Sequence, residues 1–272
     1  MDLRKRIGID FGGKMRIEDA LDWAAANQVF YADVCVDNAP NAIETFDDAR
    51  IRVVRAALDR HGIRLGLHTL SAVNVAETSP FLRDAVDAYL RAYVDLAHRL
   101  QAGWIVVHAG YHFTSDYHRR KEAALERLKR AADYAGKSGV PLLLENMNRE
   151  PDDAEVRYLG YDVGECRYYF DGIESPHLGW AYTVNHAHML PEGIDGFTRA
   201  FDLARCGEVR LADNRGDKEE HLQPGEGTID FKAMFDAIEG AGYPGHYMLA
   251  FGSIEDMKKG REYLVAAAKA GE

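Results

Sequence analysis

Three side chains suited to metal binding or proton transfer close short apolar segments of the chain. His68 ends IRLGLH, His108 ends WIVVH and Glu145 ends PLLLE. The three leucines before Glu145 are typical of a strand that is buried on both faces, as in parallel sheets. A carboxylate buried there needs a metal ion, another cation or a proton donor as its partner. Two imidazoles and a carboxylate suit Zn²⁺, Mn²⁺, Co²⁺ or Mg²⁺, so we predict a divalent metal site at His68, His108 and Glu145.

Further polar side chains follow the later apolar segments and suggest acid–base chemistry. Glu145 is our predicted base, and Arg210 is a fixed cation able to polarise a substrate oxygen. His186 is the predicted acid, with His188 as the alternative, because imidazole titrates near neutral pH. Other polar residues beyond the strand ends are predicted substrate contacts: His112, Asn146, Asn185, His188, Asp213 and His221.

These residues lie on a regular alternation of short apolar runs and longer helical segments. The predicted strands are 6–11, 30–36, 63–68, 104–108, 141–145, 178–183, 208–212 and 247–251. The predicted helices are 17–28, 41–61, 80–100, 121–138, 164–173, 194–204, 231–240 and 254–268. Eight such pairs match a (β/α)8 barrel, whose active site lies at the carboxyl ends of its strands. No linker composition interrupts the pattern, so we expect residues 1–272 to form a single TIM-barrel domain.

A doubly wound open sheet is the main alternative to the barrel. Such sheets bind nucleotides through a GxGxxG or P-loop motif after an early strand. Neither motif follows an early strand here. We therefore favour the barrel and expect no nucleotide cofactor. The polar segment 149–162 is expected to be a loop, and its position is left open.

Composition narrows the expected partners to small molecules. Lys and Arg number 33 against 44 Asp and Glu, a formal net charge of -11. Nucleic acids and anionic membranes attract clustered basic residues, so neither is an expected partner. No apolar run approaches the length that crosses a bilayer. We expect a cytoplasmic protein that acts on a small-molecule substrate.

Four stretches resemble one family, the xylose isomerase-like TIM barrels. They are GLHTLSAVNVAE with His68 and Asn74, IVVHAG, LLLEN, and DKEEHLQPGEGTIDF. This family includes sugar epimerases, inosose dehydratases, hydroxypyruvate isomerases and apurinic endonucleases. The resemblance implies an α/β fold with one (β/α)8 barrel, metal-assisted chemistry on sugars and, as is frequent in the family, a homodimer.

The chain departs from the family pattern at three of the four usual metal ligands. Thr183 stands where an Asp is usual, Arg210 where a His is usual, and Ala250 or Phe251 where a Glu is usual. Glu145 alone remains of that set. Two interpretations stay open. Either Arg210 pairs with Glu145 and replaces the ion's charge, or the ion binds at the neighbouring triad.

The second interpretation is slightly favoured. The triad His68, His108 and Glu145 resembles an additional metal site of the apurinic endonucleases, and His186, Glu219 and His221 resemble that enzyme's remaining site. The resemblance implies an isomerase or lyase that removes a proton next to a carbonyl of a small sugar, polyol or keto acid. Without the last Glu, one-sided chemistry such as elimination or an aldose–ketose shift is favoured over two-base epimerisation. A non-catalytic sugar-binding barrel and a metal-dependent apurinic endonuclease are the alternatives, and the acidic charge opposes the endonuclease.

Overall fold

The protein forms a closed eight-stranded parallel barrel, seen in a computed structural model that describes residues 2–269. In chain order its strands are β1 (Ile7–Gly12), β2 (Tyr31–Val34), β3 (Arg64–His68), β4 (Trp104–Val107), β5 (Tyr111–Phe113), β6 (Leu142–Glu145), β7 (Val156–Tyr158), β8 (Leu178–Thr183), β9 (Cys206–Leu211) and β10 (His246–Leu249). The order around the barrel is β1-β10-β9-β8-β6-β4-β3-β2, while β5 and β7 form a separate pair. The predicted (β/α)8 barrel is confirmed.

Helices surround the barrel and connect successive strands. They are α1 (Leu3–Arg6), α2 (Ile17–Ala26), α3 (Asp48–His61), α4 (Pro80–Leu100), α5 (Tyr117–Ser138), α6 (Val163–Gly172), α7 (Val184–His188), α8 (Gly193–Ala200), α9 (Phe231–Gly240) and α10 (Ile254–Lys269). Gly62 ends α3 in the left-handed conformation with φ +64, as glycine does at many helix ends. Within residues 2–269, none of these helices has the length and apolarity to span a membrane.

The helix predicted over 41–61 is wrong at its start, because α3 begins at Asp48. Asp47 caps it, its carboxylate accepting from the amide of Arg50 at 2.7 Å. Asn41 instead ties two loops together: its side-chain oxygen accepts from the amide of Ile17, and its amide group donates to the carbonyl of Met15. The helix predicted over 194–204 also ends early, at Ala200.

The segment predicted as a loop, 149–162, contains β7. This strand pairs antiparallel with β5, with Tyr111 opposite Tyr158 and Phe113 opposite Val156. Both strands have three residues and mixed polarity, so neither shows the apolar pattern of the barrel strands. The pair belongs to the loops that follow β4 and β6 and places Tyr158 at the rim of the barrel.

Two apolar layers support the barrel. One lies between the sheet and the helices and includes Ile7, Leu67 and Ile105. The smaller one fills part of the barrel's interior and consists of Trp104, Val106, Leu143, Ala181 and Met248. Towards the carboxyl ends of the strands the interior becomes polar, and the side chains described next occupy that part.

Candidate metal centre and active site

A cavity of about 780 Å³ opens at the carboxyl ends of the strands. Its volume falls within the range of small-molecule sites. The predicted residues that line it come from several strand ends and loops: His68, His108, Glu145, Asn185, His186, Arg210 and His221. The barrel thus brings together side chains that are far apart in the sequence, as its topology requires.

The predicted metal ligands meet at one point of this cavity. The Nε2 atoms of His68 and His108 are 3.1 Å apart. Oε2 of Glu145 is 3.1 Å from Nε2 of His108 and 3.3 Å from Nε2 of His68. Ligands held at ~2.0–2.1 Å around a tetrahedral ion stand ~3.3 Å from one another. The triangle has the dimensions of a ligand face for a first-row divalent ion.

Neighbouring groups orient both imidazoles. The hydroxyl of Thr69 donates its proton to the carbonyl of Val106 at 3.0 Å, so it accepts from Nδ1 of His108 at 3.3 Å. Nδ1 of His68 faces Oδ2 of Asp10 at 3.5 Å, which favours a proton on that nitrogen. Each Nε2 then keeps its lone pair. With both imidazoles neutral, two lone pairs and a carboxylate oxygen converge, and a proton or a metal ion between them would stabilise the arrangement.

The electrostatics of the triad show what competes with an ion. Burial and the charge of Arg210 act to lower the pKa of His68, but the carboxylates of Asp10 and Glu145 outweigh them and raise it to about 9. Burial lowers the pKa of His108. Burial acts to raise the pKa of Glu145, yet hydrogen bonds from both imidazoles and the charge of Arg210 hold it well below its usual value. A proton on His68 and a metal ion therefore compete for the same position.

A second group of possible ligands lies beside the first, with Nδ1 of His186 3.9 Å from Oε1 of Glu145. Nδ1 of His186 donates to the carbonyl of Asn146 at 2.7 Å, so its Nε2 keeps a lone pair, which faces Oε2 of Glu219 at 3.5 Å. That carboxylate oxygen is buried and has no hydrogen-bond partner among the described residues. Nδ1 of His221 is 3.2 Å from the other oxygen of Glu219. The backbone of His221 has a positive φ of +46. Ring nitrogens of His186 and His221 and the carboxylate of Glu219 lie within reach of one ion, so the three residues could hold a cation.

Glu219 changes the expected acid–base chemistry. The preference for one-sided chemistry depended on the missing carboxylate of the last strand, and Ala250 and Phe251 indeed line the cavity there. Glu219 brings a second carboxylate from the loop after β9. His186 lies between the two carboxylates, with Nδ1 3.9 Å from Glu145 and Nε2 3.5 Å from Glu219. The cavity thus contains two carboxylates, Glu145 and Glu219, with His186 between them.

Arg210 is buried below the triad, and its main partners are not Glu145. Its Nη1 donates to Asp33 at 2.7 Å and to Glu208 at 2.5 Å, and its Nη2 donates to Asp10 at 2.5 Å. Only Nε approaches Glu145, at 3.8 Å. The expected Arg210–Glu145 pairing is therefore a long contact beside three short ones. Carboxylates of the barrel interior therefore occupy most of the hydrogen-bond donors of this guanidinium.

Sequence reasoning missed these three carboxylates. Asp10 stands within RIGIDF, Asp33 within FYADVCV and Glu208 within CGEVRLA. The available signal was one acid inside each apolar strand, which is costly unless a cation is near. Burial and mutual repulsion raise the pKa of Asp33 well above its usual value despite Arg210. Burial likewise raises the pKa of Glu208.

Four predicted substrate contacts lie outside the cavity lining. The side chain of Asn146 binds both backbone groups of Thr183, at 2.8 and 2.9 Å, and so joins the ends of β6 and β8. Asp213 accepts from the amides of Gly225 and Gly227 and shapes the loop after β9. The geometry supports a structural role for both, since their hydrogen-bonding groups face the backbone.

The other two are histidines. Nδ1 of His112 donates to the carbonyl of Phe113, and its ring packs on Tyr117. Nε2 of His188 is 2.9 Å from the hydroxyl of Thr228. Neither side chain reaches the cavity. Several lining residues that were not predicted lie on loops without an apolar period: Lys14, Ser71, Asn148 and Lys218. Tyr158, on the short strand β7, also lines the cavity.

Comparison with known proteins agrees with this architecture. Residues 21–267 match the model of the xylose isomerase-like TIM barrel family. The chain belongs to that family. It is 26% identical over 224 residues to the uncharacterised protein MJ1311 of Methanocaldococcus jannaschii, covering 79% of this chain and 73% of that protein.

Two other matches carry names that bear on function. A solved D-tagatose 3-epimerase-like protein shares the fold with a TM-score of 0.84 at 20% identity, over 97% of both chains. A probable endonuclease 4 of Methanoculleus marisnigri is 30% identical over 125 residues, which is 42% of this chain and 43% of that protein. At these identities the first match shows the fold, and the second is confined to part of the chain.

Proposed function

We propose that this protein is a divalent-metal-dependent isomerase or epimerase that moves a proton next to a carbonyl of a small sugar, polyol or keto acid. The observation that carries the proposal is the convergence of His68, His108 and Glu145 as three acceptors in the same cavity as Glu219. The likeness to a D-tagatose 3-epimerase-like protein supports it. Elimination of water is the related lyase reaction that the same groups would serve.

The triad would hold the ion through two Nε2 atoms and Oε2 of Glu145. A bound divalent ion supplies a Lewis acid that polarises the carbonyl and stabilises the negative charge formed when the neighbouring carbon loses its proton. The hydroxyl of Thr183 donates to Oε1 of Glu145 at 2.5 Å and fixes the orientation of the carboxylate. The chain thus positions its ligands before substrate binds.

Proton transfer is assigned to the carboxylates on either side of His186. Oε2 of Glu219 is free to accept a proton from the substrate because no hydrogen bond from the described residues occupies it. Its other oxygen is fixed by the side-chain amide of Asn185 at 2.9 Å. In an isomerisation His186 would carry that proton from Glu219 to the neighbouring carbon. In an epimerisation Glu219 would release it to solvent, and a proton taken up from solvent would reach the opposite face by way of Oε1 of Glu145.

The test follows deuterium from solvent into carbon-bound positions of keto sugars and inososes by NMR. Protein loaded with Zn²⁺, Mn²⁺, Co²⁺ or Mg²⁺ is expected to catalyse exchange. E219Q should lose about a hundredfold or more of the exchange rate while keeping the ion at the triad. E220Q is the matched control, since Glu220 pairs with Arg215 at 2.6 Å and does not line the cavity.

Two results would redirect the proposal. Binding of less than about one ion per chain at saturating metal would contradict the triad as a metal site. Sugar-induced thermal stabilisation without any exchange would favour the non-catalytic sugar-binding barrel.

An apurinic endonuclease is the second candidate, because a second cluster, His186, Glu219 and His221, could also hold a cation. The partial match to a probable endonuclease 4 points the same way. The net charge of -11 opposes binding to a polyanion. Metal-dependent incision of a duplex with one abasic site tests this candidate, and intact duplex after incubation with Zn²⁺-loaded protein would dismiss it.

A further inference from the structure

We propose that the substrate carries an anionic group, a phosphate or a carboxylate, and that Lys14 and Lys218 bind it in the cavity that also contains the metal triad. This inference rests on the proposed function, because it names the substrate class of the same site. Its evidence is independent of the triad and comes from the loops after β1 and β9.

Lys14 follows β1 and lines the cavity. Its backbone amide donates to the carbonyl of Phe11, which closes a turn at the end of the strand. Gly12 within this turn has φ +51, and Nζ of Lys14 lies 3.9 Å from where a Cβ at Gly12 would stand. The ammonium group therefore folds back over the strand end. No carboxylate of residues 2–269 forms an ion pair with it.

Lys218 lies in the loop after β9, directly before Glu219, and lines the same cavity. Its side chain is exposed and, in the described part of the chain, makes no hydrogen bond or ion pair. The nearby carboxylate of Glu220 pairs with Arg215 instead, and Glu219 accepts from Asn185. The ammonium group of Lys218 thus keeps its full hydrogen-bonding capacity for a ligand.

The other cations of the cavity lining are already paired. Arg210 binds three carboxylates of the barrel interior, and Arg149 pairs with Asp152 at 2.6 Å. An anionic group entering the cavity would therefore meet Lys14 and Lys218 as the lysine and arginine side chains of the described lining that have no ion-pair partner. Charge-assisted hydrogen bonds to phosphate or carboxylate are about twice as strong as neutral ones.

The strands that precede these lysines lie on the other side of the ring from the centre of the triad. The triad comes from the ends of β3, β4 and β6, with β4 at its centre. The lysines come from the loops after β1 and β9, which flank β10. In an eight-stranded ring with this order, β4 and β10 are diametrically opposite. Ala250 and Phe251 line the cavity between the lysines and add no charge.

A substrate that spans the cavity would thus present its carbonyl end to the triad and its anionic end to the lysines. In a chain with net charge -11, two unpaired ammonium groups at one cavity wall form a local attraction for anions against a repulsive background. That contrast selects a small anion rather than a polyanion, which would extend over the acidic surface. A neutral sugar would lose these contacts.

The experiment compares metal-loaded protein with K14M, K218M and the double variant by isothermal titration calorimetry. The probes are D-fructose, D-fructose 6-phosphate, D-glucuronate and inorganic phosphate. The unaltered protein is expected to bind at least one anionic sugar about tenfold or more tightly than D-fructose, and the double variant should lose that preference. K129M is the matched control, because Lys129 pairs with Glu126 on α5, away from the cavity.

The probes separate the two anions: preference for D-fructose 6-phosphate alone identifies a phosphate, and preference for D-glucuronate alone a carboxylate. Equal affinity for neutral and anionic sugars, or no binding of either anionic sugar, overturns the inference. So does an anion preference that survives in the double variant, since the anion would then bind the metal ion. These failures leave metal binding and deuterium exchange intact, so they are distinguishable from failure of the proposed function.

Discussion

Two polar clusters lie one above the other in the barrel, and they solve the same electrostatic problem differently. In the lower one, Arg210 donates short hydrogen bonds to Asp10, Asp33 and Glu208. In the upper one, His68, His108 and Glu145 bring two imidazole lone pairs and a carboxylate oxygen within 3.3 Å of one another. The lower cluster contains a permanent cation, whereas the charge of the upper one depends on a proton at His68 or a bound metal ion.

The two clusters differ in whether their positive charge can be replaced. The charge of Arg210 is a fixed part of the protein, and the charge at the triad is exchangeable. The guanidinium stays charged at any pH at which the protein folds, and Arg210 is almost completely buried. Its cation therefore cannot be exchanged. The triad borders the cavity, so a proton or a metal ion can enter and leave it.

The largest expected effect is on stability, from replacing Arg210. R210M leaves three buried carboxylates without their cation, and breaking a buried charge cluster in this way costs about 3–5 kcal/mol of unfolding free energy. Urea unfolding of the metal-free protein measures the loss. R210K, which keeps a charge but not the planar fork of donors, should fall between R210M and the unaltered protein.

The pH dependence sharpens this prediction. Despite burial, the charge of Arg210 and the bond from His68 lower the pKa of Asp10, so its contribution to stability is present above an unfolded pKa of about 3.9 and is lost as the pH falls through the folded value. In R210M burial would dominate at Asp10 as it already does at Asp33 and Glu208, so stability should decline more steeply than in the unaltered protein as the pH rises above about 4. Equal stability of both proteins across this range would contradict the account of Arg210 as a structural cation.

The sequence could predict those parts of the fold that follow a regular apolar pattern. The barrel was predictable because eight apolar runs of strand length alternate with helical segments, and their order leaves few other topologies. The β5–β7 pair was not, because its strands are short, polar and more than forty residues apart, and only the rim of the finished barrel brings them together.

For the site, strand ends were informative and strand interiors were not. His68, His108 and Glu145 end their apolar runs and were grouped correctly as neighbours. Asp33 and Arg210 are 177 positions apart, and only closure of the barrel makes them partners. Asn146 and Asp213 looked like substrate contacts because they are polar and near strand ends, but backbone hydrogen bonds, which leave no trace in sequence, occupy them.

A smaller effect is expected from the group that orients the upper cluster. T69V removes the hydroxyl that accepts from Nδ1 of His108 and frees that imidazole to change tautomer. Loss of such a partner typically weakens metal affinity about 10–100-fold. T69S keeps the hydroxyl and is expected to bind Zn²⁺ as the unaltered protein does. Competition with a chromogenic chelator measures both, and equal affinities of T69V and T69S would show that Thr69 merely packs.

The smallest expected effect is the change of metal affinity per pH unit, which reflects competition between a proton and a metal ion at His68. Because the pKa of His68 is raised to about 9, its imidazole is protonated at neutral pH, and Zn²⁺ must displace the proton on Nε2. Affinity should therefore rise about tenfold per pH unit between about pH 6 and 8.

In the metal-free protein the same proton has the opposite consequence. The stability it contributes is fully present below the unfolded pKa of about 6.5 and is lost as the pH rises through about 9. D10N removes a carboxylate that holds this pKa up, so the rise in Zn²⁺ affinity should level off at a lower pH. If the Zn²⁺ affinity of the unaltered protein does not change with pH, no proton occupies the triad. The upper cluster would then lack the exchangeable charge that distinguishes it from the lower cluster.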